Sequence, residues 1–268
     1  MIDLHCHMLP AIDDGAKDLK NSLAMLDMAV DDGIEAIACT PHIYPGLYPN
    51  THEGIAAALQ AFKEEVLNRG YDIELGYGAD IHMDVGLSGK LKTNELPTLF
   101  GSRYFLLEMP NQFPMNILED NVFAVMRAGY VPVITHPERQ SWSDLYYEQL
   151  AELVHHGAWI QITANSLTRR FGKSAQRRAE RLLDDGLVAI LASDAHNTTT
   201  RPPVLSGGYE VAKKWVGDEE ARHMVYTRPK GIVNNTAPEH LPQVMALTVG
   251  DAPRKQGIFG KLKRFLSS

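Results

Sequence analysis

The sequence predicts one α/β domain in which parallel strands form a closed or nearly closed barrel. Apolar strand-like runs alternate with amphipathic helical stretches along the chain, and the alternation occurs seven times. The length of 268 residues suits one barrel-sized domain. An open doubly wound sheet is the alternative fold that the same alternation allows.

The predicted strands are short apolar runs, and most of them are followed by a stretch of helical period. The strands cover Ile2–Cys6, Ile34–Thr40, Ile73–Ile81, Tyr104–Met109, Val131–Thr135, Trp159–Thr163 and Val188–Ala192. The helices include Leu19–Val30, Ile55–Leu67, Ile117–Met126, Leu145–Val154 and Ala175–Leu183. A glycine that follows a helical stretch is typical of a helix C-terminus, where positive φ is favoured. Five glycines fit this pattern: Gly33, Gly70, Gly129, Gly157 and Gly186.

The charge distribution argues against nucleic-acid binding. Lys and Arg number 26 against 33 Asp and Glu, which gives a formal net charge of −7. Five of the cations lie in the last 15 residues, so the rest of the chain is still more acidic. A phosphate backbone requires a basic face on its protein partner, whereas bound divalent cations would offset part of this acidic charge.

Residues 246–268 are predicted to form a basic amphipathic tail after a barrel domain of residues 1–245. The tail places apolar groups at helical spacing between its cations, which are Arg254, Lys255, Lys261, Lys263 and Arg264. Such a segment suits peripheral contact with an anionic membrane or with an acidic partner. A frayed end, or a terminal helix packed on the barrel, is the alternative.

The remaining bulk features predict a cytoplasmic protein. No run approaches the roughly 18 apolar residues of a membrane span, and the N-terminus lacks a basic region followed by an apolar run. The two cysteines, Cys6 and Cys39, give no disulfide framework and suit a reducing compartment.

Histidines and carboxylates recur at the C-terminal ends of the predicted strands. In a parallel barrel these ends emerge on one face, so the side chains are expected to converge in one pocket. In His5-Cys6-His7 a strand would turn both imidazoles to one side, and Asp194-Ala195-His196 repeats this spacing. The candidate metal ligands are His5, His7, His42, Asp80, Glu108, His136, Asp194 and His196.

This donor set predicts a catalytic metal centre with more than one ion. Imidazole nitrogens and carboxylate oxygens are the mixed ligands that Mn, Fe or Zn prefer, unlike the ligands of a cysteine-rich structural zinc site. Eight candidate ligands are too many for one ion and indicate two or three. Glu108 is suited to bridging two ions, and His82 is a weaker candidate ligand because it lies two positions from Asp80.

Two arginines beside the candidate ligands indicate that the substrate carries a phosphoryl group. Arg139 follows His136, and Arg201 follows His196 in a polar loop. A guanidinium fork matches phosphoryl oxygens and the charge that develops on them, whereas the alternative role is an ion pair with an acid on the barrel rim. Arginines and metals together predict hydrolysis of a phosphoester, with a hydroxide that bridges two ions attacking phosphorus in line.

The loop Asp13-Asp14-Gly15 is expected to form a turn after the first strand. Asp14 is the candidate carboxylate partner of a metal-ligating histidine in this loop. It is therefore grouped with Arg139 and Arg201 as a candidate catalytic residue.

A cysteine-based phosphatase mechanism is excluded by the sequence. That mechanism needs an arginine six positions after the nucleophilic cysteine. Ile12 stands at that spacing from Cys6, and Pro45 stands at that spacing from Cys39.

Seven motifs occur in a fixed order over about residues 1–240. They are Ile2-Asp3-Leu4-His5-Cys6-His7, Asp13-Asp14-Gly15, Cys39-Thr40-Pro41-His42, Leu107-Glu108-Met109-Pro110, Thr135-His136-Pro137-Glu138-Arg139, Gln161-Ile162-Thr163-Ala164-Asn165-Ser166-Leu167 and Ala192-Ser193-Asp194-Ala195-His196. Together they resemble the polymerase-and-histidinol-phosphatase (PHP) superfamily. Within it, they are most similar to the bacterial manganese-dependent tyrosine-protein phosphatases of capsule and exopolysaccharide operons.

The resemblance implies a distorted (β/α)7 TIM-like barrel and a trinuclear centre usually supplied with Mn²⁺, for which Fe, Zn, Co or Mg could substitute. It implies phosphotyrosine on a partner protein as the substrate, the partner being a membrane-associated bacterial tyrosine autokinase that controls polysaccharide export. Position by position, one ion would be held by His5, His7, Glu108 and Asp194, the second by Glu108 and His136, and the third by His42, Asp80 and His196. Arg139 and Arg201 would contact phosphate.

One position departs from the family pattern, because the family commonly has Glu where this chain has Asp80. Aspartate is one methylene shorter, so weaker occupancy of that ion site is expected. Two alternatives to the tyrosine phosphatase remain: a PHP phosphatase of a small phosphomonoester such as histidinol phosphate, and a metal-binding regulatory module without catalysis. An amidohydrolase is disfavoured because Glu108 stands where those enzymes typically carry a carbamylated lysine.

A phosphotyrosine ring would need an aromatic contact at the barrel mouth. Tyr44, Phe113 and Phe171 are the candidates, with simple loop packing as the alternative for each.

Overall fold

Parallel strands form a ring that helices surround, in a computed structural model that describes residues 1–110 and 115–248. The strands are β1 (Ile2–Cys6), β2 (Ala36–Cys39), β3 (His42–Ile43), β4 (Glu74–Tyr77), β5 (Asp80–His82), β6 (Tyr104–Glu108), β7 (Val131–Thr135), β8 (Trp159–Thr163) and β9 (Ile190–Ala192). The helices are α1 (Leu19–Asp31), α2 (His52–Asn68), α3 (Leu87–Lys92), α4 (Met115–Arg127), α5 (Tyr147–His155), α6 (Ala164–Leu167), α7 (Gly172–Asp184), α8 (Ser206–Val216), α9 (Asp218–Arg222), α10 (Arg228–Val233) and α11 (Met245–Thr248). A π-helical turn, His223–Thr227, joins α9 to α10.

Two sheets join to close the ring. One has the strand order β1-β2-β4 and the other the order β3-β5-β6-β7-β8-β9, and every pair is parallel. The last strand returns to the first, because the Asp194 amide donates to the His5 carbonyl and the His7 amide donates to the Ala195 carbonyl, each at 2.8 Å. The predicted barrel is therefore confirmed, and the open doubly wound sheet is wrong.

The predicted strand Ile73–Ile81 breaks into β4 and β5, and the predicted strand Ile34–Thr40 is present as β2 with a further short strand, β3, just after it. The break after β2 falls at Pro41, which has no amide hydrogen to donate to the sheet, and the break after β4 falls at Gly78 and Ala79. The pairing continues across both breaks, since the Asp80 amide donates to the Pro41 carbonyl at 3.1 Å. As a result His42, expected after the second strand, begins β3, and Asp80, expected late in the third strand, begins β5. The two residues lie opposite each other in register.

The five predicted helices are present as α1, α2, α4, α5 and α7, with ends within a few residues of those expected. The five predicted cap glycines all have positive φ. The helices after β9 were not predicted, because the strand–helix alternation that guided the assignment ends there. Among the described residues, no helix is both long and apolar enough to span a membrane.

The chain beyond β9 is held to the barrel by a fully buried arginine. Arg228 donates to the carbonyl of Ala189, directly before β9, at 3.3 Å, and it pairs with Glu220 at 2.8 Å. It also donates to the carbonyls of Pro242 and Gln243 at 2.8 and 2.7 Å. The short helix α11 then crosses the predicted domain boundary, and the Ala246 amide donates to the Gly186 carbonyl at 3.0 Å. Residues 249–268, which carry the cations of the predicted tail, lie outside the described residues.

Barrel closure depends on a buried carboxylate in β1. Asp3 Oδ1 accepts from the Ser193 amide at 3.0 Å, and Asp3 Oδ2 accepts from the Ser193 hydroxyl. We expect Asp3→Ala to lower the free energy of unfolding by about 2–4 kcal/mol, because it removes the acceptor of the buried Ser193 amide and leaves the Ser193 hydroxyl only the longer contact to the His5 carbonyl, at 3.3 Å. Urea denaturation at fixed Mn²⁺ measures this, with the exposed Asp72→Ala as control. Equal unfolding midpoints for the two variants would contradict the expected role of Asp3.

Candidate metal centre

All eight predicted metal ligands lie at the mouth formed by the C-terminal ends of the strands. Six of them are almost fully buried, while His42 and Glu108 expose 12% and 19% of their side chains. In four groups of residues, donor atoms lie within 4.8 Å of one another. The groups are His5 with His7 and Asp80, His5 with His136 and Asp194, His42 with Asp80 and Glu108, and His7 with Asp14, His42 and His196.

The carboxylates at the base of the mouth link these groups. Asp80 Oδ2 lies 3.4 Å from His5 Nε2 and 3.7 Å from His136 Nε2. Asp194 Oδ1 lies 3.4 Å from the Nε2 atoms of both His5 and His7. Each carboxylate therefore reaches more than one imidazole, which is the arrangement that bridging between neighbouring ions requires.

These four groups of residues differ in part from the assignment of ligands to the three ions that the resemblance implies. Glu108 lies with His42, 3.4 Å from its Nδ1, and not with His5 and His7. His196 lies with Asp14, at 3.4 Å, and not with Asp80. The two carboxylates lie at different depths in the mouth. Asp80 begins β5 and is fully buried, whereas Asp14 lies in the outer loop with 44% of its side chain exposed, on the side where His196 is reached.

Two imidazoles are oriented by acceptors on their outer nitrogens. His5 Nδ1 lies 2.9 Å from Gln161 Oε1, and His7 Nδ1 lies 2.7 Å from Asp13 Oδ2. Since these oxygens only accept, each ring donates from Nδ1 and presents the lone pair of Nε2 to the mouth. The two Nε2 atoms lie 3.1 Å apart.

The carboxylate that orients His7 is Asp13, whereas Asp14, the predicted partner of a metal-ligating histidine, lies 3.5 Å from His42 and 3.4 Å from His196. Asp13 also accepts from the Gly15 and His42 amides at 2.9 and 3.1 Å, which fixes the loop against β1. The expected turn is present, and its approach is so close that a Cβ on Gly15 would lie 2.1 Å from the His7 carbonyl oxygen. The sequence shows both acids of the loop, but only this packing decides which of them faces His7.

The donor set fits divalent metal ions. Several buried nitrogen and oxygen atoms of the mouth have no hydrogen-bond partner among the described residues. They are His42 Nδ1, Asp80 Oδ2, His82 Nδ1, His136 Nδ1 and His196 Nε2. Unpaired buried polar atoms are costly, and metal coordination would satisfy them. The electrostatics of the site also favour a bound cation. Burial lowers the pKa of His5, but the negative charges of Asp194 and Asp80 outweigh this effect and raise the pKa to about 9. The same negative potential would attract a cation.

Backbone strain occurs at two of the candidate ligands. His136 has φ +36° and Asp194 has φ +49°, a region that side chains other than glycine rarely adopt. His136 directly follows β7 and Asp194 lies two residues after β9, so both side chains are placed where the chain turns at the mouth. Such strain persists where the surrounding structure holds it and is typical of functional sites.

Both predicted phosphate-binding arginines reach the mouth, where each pairs with Asp194. Arg139 contacts Asp194 Oδ2 through Nη1, and Arg201 Nη2 lies 2.7 Å from the same oxygen. The ion pair that was the alternative role is therefore present. Arg201 retains a buried Nε with no hydrogen-bond partner in the described chain, so it has a donor left for a substrate oxygen.

Aromatic side chains line the mouth beside these groups. Tyr44 stacks on His82 with ring centroids 3.7 Å apart, and Tyr48 stacks on His42 at 5.4 Å. Phe171 lies 4.4 Å below the Arg139 guanidinium carbon. His82 itself lies 3.6 Å from Glu108. Phe113, the third predicted aromatic, lies outside the described residues.

Cys6 lies next to the site but is turned into the core. Its side chain is fully buried, and burial raises the pKa of the thiol well above its usual range. A thiol that stays protonated is a poor nucleophile, which agrees with the exclusion of a cysteine-based mechanism.

Asp13→Asn is expected to weaken Mn²⁺ binding by about 10- to 100-fold, the usual effect of losing the carboxylate partner of a ligating histidine. The neutral amide keeps the size of the side chain but can present an N–H to His7 Nδ1, so the ring loses its fixed orientation. Calorimetric titration of metal-free protein with Mn²⁺ measures the change. Asp72→Asn, in an exposed turn, is the matched control. Equal Mn²⁺ affinity in both variants would remove Asp13 from the site.

The chain is similar to a known protein family over most of its length. A family profile described as "Capsular polysaccharide synthesis, CpsB/CapC" matches residues 1–234. The tyrosine-protein phosphatase YwqE of Bacillus subtilis (strain 168) is 34% identical over 219 residues, which cover 82% of this chain and 86% of the relative. The tyrosine-protein phosphatase CpsB of Streptococcus pneumoniae is 30% identical over 238 residues, which cover 87% of this chain and 98% of the relative.

A solved structure agrees with the fold. It is described as one of YwqE from Bacillus subtilis and CpsB from Streptococcus pneumoniae, unique metal-dependent tyrosine phosphatases. It matches with a TM-score of 0.85 and 32% identity, over 88% of this chain and 96% of that one. The similarity thus extends over most of this chain and nearly all of the other.

Proposed function

This chain belongs to the CpsB/CapC family of capsular polysaccharide synthesis, and from that premise we propose that it is a metal-dependent protein-tyrosine phosphatase. Its substrate is phosphotyrosine on a partner protein, a bacterial tyrosine autokinase that controls capsule or exopolysaccharide synthesis. The observation that carries the proposal is the convergence in one mouth of eight imidazoles and carboxylates that lie in or just after six of the strands.

The residues that would hold the metals are the eight of the mouth, with Asp14 as a further oxygen donor on the exposed side beside His42 and His196. We propose Mn²⁺, in two or three ions. Bound divalent ions supply a water of lowered pKa, near neutrality, and polarise the phosphoryl group. Gln161 and Asp13 fix the rings of His5 and His7, so that the mouth is preorganised before substrate arrives.

The two arginines would bind the phosphoryl oxygens. Asp194 holds both guanidinium groups at one side of the mouth, and each keeps further N–H donors for the substrate. Their positive charge would stabilise the negative charge that builds on the equatorial oxygens during hydrolysis. Because tyrosinate is a good leaving group relative to an alkoxide, a shallow site of this kind favours an aryl phosphate, and Tyr44 and Phe171 offer faces for its ring.

The test is hydrolysis of a tyrosine-phosphorylated peptide by metal-stripped protein, with and without added Mn²⁺. A phosphoserine peptide and histidinol phosphate serve as alternative substrates. Release of phosphate from phosphotyrosine alone, and only with Mn²⁺, is expected. A strong preference for histidinol phosphate would overturn the substrate, and turnover of none of the three by metal-loaded protein would overturn the enzymatic function.

A further inference from the structure

Helix α7 begins at the rim of the metal centre. Phe171, directly before the helix, lies beneath the Arg139 guanidinium, and Arg170 Nη1 donates to the Thr199 carbonyl at 2.7 Å in the loop that carries Arg201. Farther along the helix, Arg178 Nη1 donates to the carbonyl of Glu138, the neighbour of Arg139, at 3.5 Å. A substrate chain that leaves the mouth on this side must therefore cross the first turns of α7.

This rim is basic in a protein that is otherwise acidic. Residues 169–181 contain six Lys and Arg against one acid, whereas the whole chain has a net charge of −7. The buried side of α7 is apolar, with Ala175, Ala179 and Leu182 against the barrel. Lys173, Arg177 and Arg181 follow at intervals of four residues on the exposed side. These three residues are called the α7 cationic stripe.

The stripe is only partly neutralised within the protein. Arg181 stacks on Tyr147 at 3.4 Å and lies 3.9 Å from Glu148. The side chains of Lys173 and Arg177 make no hydrogen bond or ion pair in the part of the chain that the structure describes. Holding like charges together on one face costs stability, and a requirement for an anionic ligand accounts for their placement.

A cavity of about 290 Å³ lies between the stripe and the neighbouring loop. Its lining includes Arg177, Arg178 and Arg181 with Ser174, and a single carboxylate, Asp144, which pairs with Arg178 at 2.7 Å. Guanidinium forks bind carboxylates and phosphates through two parallel hydrogen bonds. The cavity thus offers an anion-binding surface along the same helix that begins at the rim of the metal centre.

We propose that the α7 cationic stripe binds the acidic side of the protein substrate, namely carboxylate or phosphate groups that flank the phosphotyrosine in the mouth. The proposal rests on the proposed phosphatase function and specifies its substrate class as phosphotyrosine within a strongly anionic segment. The stripe acts on binding and not on the chemical step, because it lies outside the mouth. Loss of the stripe is therefore expected to raise KM and to leave kcat unchanged. The interaction weakens as salt is added, since the three side chains are exposed.

The test uses peptides with one phosphotyrosine and different flanks: glutamate, phosphoserine, or glutamine as the neutral reference. In Lys173→Gln/Arg177→Gln/Arg181→Gln, kcat/KM for the anionic peptides is expected to fall about tenfold at low salt, roughly a factor of two for each exposed charge. The glutamine-flanked peptide should change by less than about twofold. The double variant Lys173→Gln/Arg177→Gln, which keeps the Arg181–Tyr147 contact, guards against a folding defect and should show about a fourfold fall.

The matched control is Arg127→Gln/Lys214→Gln, which removes two exposed cations from the last turns of α4 and α8, outside the stripe. A fall for the glutamate peptide, the phosphoserine peptide or both supports the proposal and identifies the group that binds. An equal change for all three peptides, or the same loss in the control, overturns it. So does an unchanged peptide preference combined with weaker flotation on phosphatidylserine vesicles, which would make the stripe a lipid contact. If wild-type protein hydrolyses none of the peptides, the proposed function itself fails, which distinguishes the two failures.

Discussion

Glu108→Gln and His136→Ala are each expected to lower phosphotyrosine hydrolysis by about a thousandfold or more. Glu108 lies between His42 and His82, and His136 faces Asp80, so both side chains stand where neighbouring donor groups meet. Glutamine keeps the size of the glutamate but removes the charge and replaces one of the two carboxylate oxygens that would bind metal. Initial rates with a phosphotyrosine peptide, at saturating Mn²⁺, measure the loss.

Cys6→Ser is the matched control for these two variants. It changes one atom within the same constellation of strand ends, on the side of β1 that faces the core. We expect it to retain most of the activity, because the buried thiol stays protonated and no arginine follows at the required spacing. Activity lost with the cysteine variant, and kept with the other two, would refute the metal mechanism.

Removal of the metal ions is expected to abolish turnover, and Mn²⁺ is expected to restore it. The mouth then loses the charges that balance Asp80, Glu108 and Asp194, and neither arginine can replace them at the imidazole nitrogens. The experiment compares phosphate release before dialysis against a chelator, after it, and after stepwise addition of Mn²⁺. Unchanged turnover in protein shown by elemental analysis to be metal-free would contradict the proposal.

The same analysis counts the ions. Fewer than three tightly retained ions per chain are expected, because Asp80 is one methylene shorter than the glutamate common in the family and is shared among His5, His42 and His136. Three ions that resist dialysis would show that the shorter side chain does not weaken the site.

The fold and the chemical character of the site were predictable because both are written in local patterns. Apolar runs of strand length, helical periodicity and cap glycines depend on neighbours within a few residues. The candidate ligands follow from the same strand assignment. A residue at the C-terminal end of a parallel strand lies at the mouth of the barrel, whichever residues surround it there. His5, Glu108 and His136 could be assigned to the mouth in this way without a known partner.

Contacts between distant parts of the chain could not be predicted in this way. Asp3 meets Ser193 across 190 positions, and His5 meets Gln161 across 156, so no local pattern records either contact. Asp13 and Asp14 are equivalent in the sequence, and only the packing of their loop on β1 directs one to His7 and the other to His196.

The sequence by itself therefore determined the barrel, the set of donor side chains and the absence of a cysteine mechanism. The tertiary structure alone decided how those donors group, which strands break, and which charges surround the mouth. Arg139 and Phe171 illustrate the difference, because their stacking brings α7 and its cations beside the metal centre. The physical reason is that side-chain composition and hydrophobic period are local properties, whereas coordination, electrostatic pairing and barrel closure depend on distances that only the folded chain fixes.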